Sequence, residues 1–189
     1  MPILPLQRDL FPDGLLVDPA SGDESSPHVT RWVVFYTLSR REKDLMRKLE
    51  AGGIPFYGPL IRRRLQTSGG RTRMSHVPLF PGYVFSRVDD EHRRSALATN
   101  TIARWLPVPD GAALVDDLRS IRQLIESDRP LTPEARLEAG QAVRVRSGPL
   151  AGLEGSVVKR RGVARLVVTV RFLNQGASIE LEDVDLERM

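Results

Sequence analysis

Cysteine is absent from this 189-residue chain, which excludes a disulfide framework, a thiol nucleophile and a Cys-based zinc site, and suits a reducing cytoplasm. Lysine is scarce: Lys43, Lys48 and Lys159 stand among 28 basic residues, the rest being Arg, whose planar fork matches phosphates and base edges. No apolar run approaches the roughly 20 residues of a membrane helix, so no membrane contact is expected. The opening "MPILPLQRDLFPDGLL" has neither a basic start nor a continuous apolar stretch, and does not read as a signal peptide. Catalytic signatures are missing too, with no G-x-x-x-x-G-K-[ST] phosphate loop, no G-x-S-x-G elbow and no G-x-G-x-x-G fingerprint. His28, His76 and His92 lie far apart, and none has a second ligand at metal spacing. No enzyme activity, metal or cofactor is expected. Binding is the default function.

What is present is ordinary globular material, 41% hydrophobic and 28% charged, enough for one sizeable domain or two small ones. The net charge of +4 is unevenly spread. Residues 1 to 30 hold one Arg against five acids, residues 31 to 94 fourteen basic against six acidic groups, and residues 95 to 189 thirteen of each. The middle segment therefore carries a basic field that favours phosphate backbones.

Residues 1–30, rich in Pro, Asp, Ser and Gly, are predicted to be a flexible acidic arm; within it "LPLQRDLFPDGLL" reads as a docking motif or, preferably, as a short piece packing on its own domain. "WVVFYTL" (32–38) has the β-branched and aromatic character of a central strand buried on both faces. A helix follows, with Ser39 and Glu42 as an S-x-x-E capping box, Leu38 as staple, Leu45 and Leu49 at i, i+4, and Gly52-Gly53 as the stop. Residues 59–67 and 71–77 read as a hairpin around "SGG", and Val84 to Val88 as a strand. Asp89 or Asp90 caps a short helix, residues 102–108 form another strand, and Leu118, Ile121, Leu124 and Ile125 mark a further amphipathic helix. The two prolines of "DRPLTPEARLEA" place a linker at 128–139. Short β-type runs between Gly-containing turns then fill residues 140–189, as in a small barrel. The fold class is α+β.

Within the basic segment lies "PLFPGYVFSR" (78–87), which sets large apolar rings around a Pro-Gly turn. Those rings either fold inward as core or form an exposed patch that another protein covers.

"RWVVFYT" at 31–37, "PLFPGYVF" at 78–85, "TNTIARWL" at 99–106 and the KOW-like "GQAVRVRSGPLAGLEGSVV" at 140–158 together resemble the NusG-like transcription elongation factors, over about residues 31–189. The resemblance implies an NGN domain at 31–127, with an antiparallel sheet and flanking helices, and an SH3-like KOW barrel at 140–189. It also implies a monomer whose NGN domain docks on the clamp helices of the largest catalytic RNA polymerase subunit and suppresses pausing. The implied docking residues are Trp32, Tyr36, Leu79, Phe80, Pro81 and Tyr83.

Some details look more like the specialised RfaH-like and UpxY-like antiterminators. "SRREKDLMRKL" (39–49) has no Gly before the acid, and "RFLNQGAS" (171–178) replaces a Phe-Gly-Arg turn. That kinship implies contact with the non-template DNA strand by Arg40, Arg41, Lys43, Arg71 and Arg73, with Arg62 to Arg64 as alternates. The barrel would recruit a ribosome or a termination factor through Phe172, Leu173 and Asn174. A competing reading is a ribosome-associated or general RNA-binding KOW protein. Refolding of the C-terminal segment into helices, as RfaH itself does, is disfavoured by Pro149 and by Gly148, Gly152, Gly155, Gly162 and Gly176.

Overall fold

A computed structural model describes residues 7–17, 30–66, 70, 72–135, 140–160, 162–181 and 186–189. The chain divides into two compact units, Met1–Gly111 and Ala112–Met189.

The first unit is built on a five-stranded antiparallel sheet of β1 (Leu10–Phe11), β2 (Arg31–Thr37), β3 (Phe56–Tyr57), β6 (Tyr83–Val88) and β7 (Ile102–Pro107), in the order β1-β3-β6-β2-β7. The central strand is β2, which pairs Tyr36 with Tyr83 and Trp32 with Arg87 on one side, and Val34 with Leu106 on the other. Because side chains alternate along a strand, Val33 and Phe35 share one face, where they join Leu45, Met46 and Leu49 of α1 (Glu42–Ala51), Ala96 of α2 (Asp90–Leu97), Phe56, Val84 and Val88 in a single core. Trp32, Val34 and Phe85, on the opposite face, are also buried, as the unbroken apolar run of β2 predicts. Each such side chain contributes about 1.5–3 kcal/mol of transfer free energy. Gly58 lets α1 approach β3 closely, since a Cβ there would meet Met46 Sδ.

Two expectations are decided in this unit. Residues 7–17 are not a flexible arm but pack on their own domain, the preferred reading of "LPLQRDLFPDGLL": β1 pairs with β3, the Phe11 ring lies 6.3 Å from Phe56, Gly58 N donates to Asp9 O at 2.7 Å, and Leu10, Leu15 and Leu16 are buried. Four apolar side chains and an unpaired edge of β3 explain why this stretch packs on its own domain. The capping box is not formed either. Arg41 occupies the N-cap of α1 with no side-chain cap bond, and Glu42 is engaged elsewhere. Asp89 does cap α2, accepting from His92 N at 2.7 Å.

The hairpin strands β4 (Leu60–Gln66) and β5 (Thr72–Pro78) form their own two-stranded sheet, in register from Leu60↔Pro78 to Gln66↔Thr72.

The second unit carries nearly all of α3 (Gly111–Glu126) and a six-stranded antiparallel sheet. Its strands are β8 (Thr132–Glu134), β9 (Gln141–Val145), β10 (Glu154–Arg160), β11 (Val163–Val170), β12 (Gln175–Glu180) and β13 (Leu186–Arg188), in the order β13-β9-β10-β11-β12-β8. Residues 140–189 thus fold as strands plus a 3₁₀ turn at Arg171–Leu173, with Val143, Val145, Leu166, Val168, Val170 and Ile179 buried. Among the described residues no ladder joins β13 to β8, so the sheet keeps two edges where a closed barrel was expected. Both edge strands are only three residues long, a length that limits unwanted pairing.

Part of the expected linker is itself a strand. The β8 segment pairs with β12, and the buried Glu134 carboxylate accepts from Ser178 Oγ, which in turn accepts from Arg165 Nε at 2.9 Å. The helix expected to complete the first domain, α3, groups with the second unit, because Arg171 N and Nε donate to the Asp117 carboxylate at 2.8 and 3.0 Å.

Candidate functional site

The Phe80-Pro81-Gly82-Tyr83 turn is held by backbone and side-chain bonds from three directions. Tyr83 N donates to Phe80 O at 3.1 Å across the turn, Thr37 N donates to Gly82 O at 2.8 Å, and Gly82 N donates to Glu42 Oε1 at 2.7 Å. Glycine is required at position 82: its φ is +87°, and a Cβ would lie 3.0 Å from the Tyr36 ring.

This geometry sorts the six residues read as a docking surface into two sets. Trp32, Leu79 and Phe80 are core, with only 6% of Trp32 and 1% of Phe80 exposed, and the Phe80 ring meets Phe85 edge-on at 6.1 Å. Side chains so buried offer little surface to a partner, and the Phe80 ring anchors the turn from within. Pro81 is exposed, and Tyr36 and Tyr83 are half-buried with ring centroids 5.2 Å apart. The Arg104 guanidinium stands 5.0 Å from the Tyr36 ring. Arg104 was missed in the sequence, although strand alternation places it on the face of Tyr36, its partner in register. The result is a small tyrosine pair with a proline beside it and a cation above it, a surface type enriched at protein interfaces.

The basic residues fall into two places. Arg40 and Arg41 are exposed before α1, and Lys43 is half-buried in its first turn. Arg41 Nη1 lies 3.1 Å from Asp44 Oδ2, and Lys48 and Arg47 approach the same carboxylate at 3.3 and 3.7 Å. Partial desolvation pushes the Asp44 carboxyl up, but the hydrogen bonds and charges of Lys48 and Arg41 outweigh it and hold the group below its ordinary range. On the β4–β5 hairpin, Arg62, Arg63 and Arg64 are exposed and Met74 is 57% exposed. Residues 60–78 contain five Arg and no acid. Arg71 lies outside the described residues, and Arg73 is described by its backbone alone.

A groove of about 600 Å³ opens beside α2, with Trp105, Val33 and Val88 among its apolar lining and Arg31, Arg94 and Glu91 among its charged lining. Arg93 stacks on Trp105 at 4.5 Å and pairs with Asp90 at 2.7 Å. Among the described residues no group of three His, Asp or Glu is placed to hold a metal ion, and no helix is long and apolar enough to cross a membrane. In the second unit Phe172 and Leu173 are half-buried, and Asn174 is exposed with φ 52°.

A family model described as "Transcription termination factor nusG" matches residues 30–132, a little over half of the chain. The chain belongs to the NusG family. Its relatives include the "Transcription termination/antitermination protein NusG" of Pseudomonas aeruginosa, 26% identical over 178 residues, which covers 84% of this chain and 98% of the relative. Those of Vibrio cholerae and Vibrio parahaemolyticus are 29% and 27% identical, each alignment covering 84% of this chain and 96% of the relative. The NusG match takes in the Phe80–Tyr83 turn, the tyrosine pair and both groups of basic residues.

Proposed function

We propose that this protein is a non-enzymatic transcription elongation and antitermination factor that binds RNA polymerase through its first unit. The observation that carries this reading is the Tyr36–Tyr83 pair with Pro81, presented on a turn fixed by three hydrogen bonds, in a chain whose family relatives bear termination and antitermination names. The partner surface is the pair of clamp helices of the largest catalytic subunit, an apolar helix face laid against aromatic anchors. Arg40, Lys43 and the arginines of the β4–β5 hairpin supply phosphate contacts to the non-template DNA strand, supported by the acid-free composition of the hairpin. The sheet of the second unit acts as an SH3-like KOW module and recruits a further partner through Phe172, Leu173 and Asn174.

The finer assignment is to the specialised RfaH-like and UpxY-like branch. It is supported by the Arg171–Leu173 turn in place of a Phe-Gly-Arg turn, and by Arg40 in a left-handed conformation where the general factor tends to have Gly. Pull-down of the tagged protein tests the main reading: RNA polymerase is recovered by the parent and lost with Tyr83→Ala. Recovery of ribosomes without polymerase overturns it in favour of a ribosome-associated RNA-binding protein. Occupancy mapped across the genome tests the specialised branch, which requires a few transcription units; coverage of nearly all genes returns the protein to the general class.

A further inference from the structure

Glu42 sits where a local capping role is expected and does something else. In an S-x-x-E box its carboxylate turns back to the N–H of Ser39. Here Oε1 instead accepts from Gly82 N at 2.7 Å, across forty residues of sequence, and Glu42 is only 8% exposed. A backbone N–H given to a water-shielded carboxylate is among the stronger hydrogen bonds in a protein. Gly82 O accepts from Thr37 N, so the two peptide planes that flank Gly82 are both gripped, the Pro81-Gly82 plane from the start of α1 and the Gly82-Tyr83 plane from β2. Gly82 in turn packs on Tyr36, the ring that pairs with Tyr83.

We infer that Glu42 is a positioning residue: its carboxylate sets the orientation of the Pro81-Gly82 turn and so the presentation of Tyr83 to a protein partner. The inference rests on the docking reading above. It makes no demand on Glu42 touching that partner. Without the carboxylate the Gly82 N–H loses its acceptor, the turn rotates among alternatives, and binding weakens by the fraction of time that the productive orientation is lost.

The test uses the full chain with Glu42→Ala, Glu42→Gln and Tyr83→Ala, and two readouts. The first needs no partner: amide hydrogen exchange at Gly82 and the ring resonances of Tyr83 by NMR. Glu42→Ala is expected to speed Gly82 exchange at least tenfold and to average the Tyr83 ring signals, while amides of the core strand β2 stay protected. Glu42→Gln, which keeps a neutral acceptor at the same reach, restores most of the protection. The second is affinity for purified RNA polymerase, expected to fall about tenfold in Glu42→Ala and to recover at least half-way, on a logarithmic scale, in Glu42→Gln. Unchanged Gly82 exchange in Glu42→Ala, or faster exchange with parent affinity, overturns the positioning role. If Tyr83→Ala binds as tightly as the parent, the docking reading fails instead, and the exchange result still decides whether Glu42 orders the turn.

Discussion

Arg40 adopts φ 59° in the loop before α1, a conformation that costs an L-residue with a Cβ about 1–2 kcal/mol. Arg40→Gly is therefore expected to raise stability by up to about 1 kcal/mol, after the extra entropy of glycine in the unfolded chain is subtracted; a urea midpoint shifted upward with unchanged m-value checks it. Thr37 carries a second local cost. Its hydroxyl is buried without a partner among the described residues, and removing such a group relieves a penalty of about 1–3 kcal/mol. Thr37→Val, read by thermal melting, should be neutral or stabilising. The turn itself separates core from contact. Phe80→Ala empties a fully buried site and should cost about 3–5 kcal/mol of folding stability, whereas Tyr83→Ala should leave stability within about 1 kcal/mol and weaken polymerase binding by about 2 kcal/mol or more. Equal stability losses in the two variants would show that Tyr83 is core as well. Local pattern could not separate these rings, because Phe80 and Tyr83 are both aromatic and lie three residues apart; which one turns inward depends on Phe85, Tyr36 and Glu42.

At the scale of elements, the hairpin is legible in the residue pattern itself. Seven-residue strands appear where alternation and the Gly-containing loop place them, with ends displaced by a residue or so. Its detachment from the main sheet is not legible there, since pairing partners are chosen by long-range contacts. A two-stranded ribbon outside the main sheet, with exposed Arg62, Arg63 and Arg64, predicts an electrostatic interaction with nucleic acid. Each phosphate contact contributes about 0.7 to the slope of log affinity against log salt for single strands, and about 0.9 for duplex DNA. Replacing the three arginines with Ser should flatten that slope by about 2 to 3 and weaken binding evenly across sequences. An unchanged slope would remove the hairpin from the nucleic-acid surface. The helices show the limits of local pattern in another way. Leu45 and Leu49 are buried on α1 and Asp89 caps α2, as their spacing predicts. The Ser39–Glu42 box fails because the half-buried Gly82 N–H, forty residues away, takes the same carboxylate, and a shielded donor is costly to leave unpaired.

Across the whole molecule, acid is the condition that most directly tests the ionic surface. Desolvation raises the Asp44 carboxyl, but Lys48 and Arg41 override it and hold the group below its ordinary range; the hydrogen bond and charge of Arg93 do the same for Asp90. A carboxyl depressed in the folded state adds stability that is present above its unfolded value of about 3.9 and is lost as pH falls through the lower folded value. Stability should thus be flat in these groups from about pH 5 to 8 and decline below about pH 4. Replacing both with Asn should flatten the acid limb in urea midpoints measured against pH. Composition, strand and helix periodicity and four spaced motifs determined the α+β class, most of the elements and the NusG kinship, because each depends on residues close together in the chain. Tertiary structure decided that residues 7–17 fold onto β3, that α3 joins the second unit through Asp117 and Arg171, that the described C-terminal sheet keeps its edges, and which aromatics of the Phe80–Tyr83 turn face outward. Apart from the Phe80–Phe85 contact, those outcomes rest on contacts between residues some forty or more positions apart, whose pairing is set by burial and hydrogen-bond competition in the folded chain and leaves no local pattern to read.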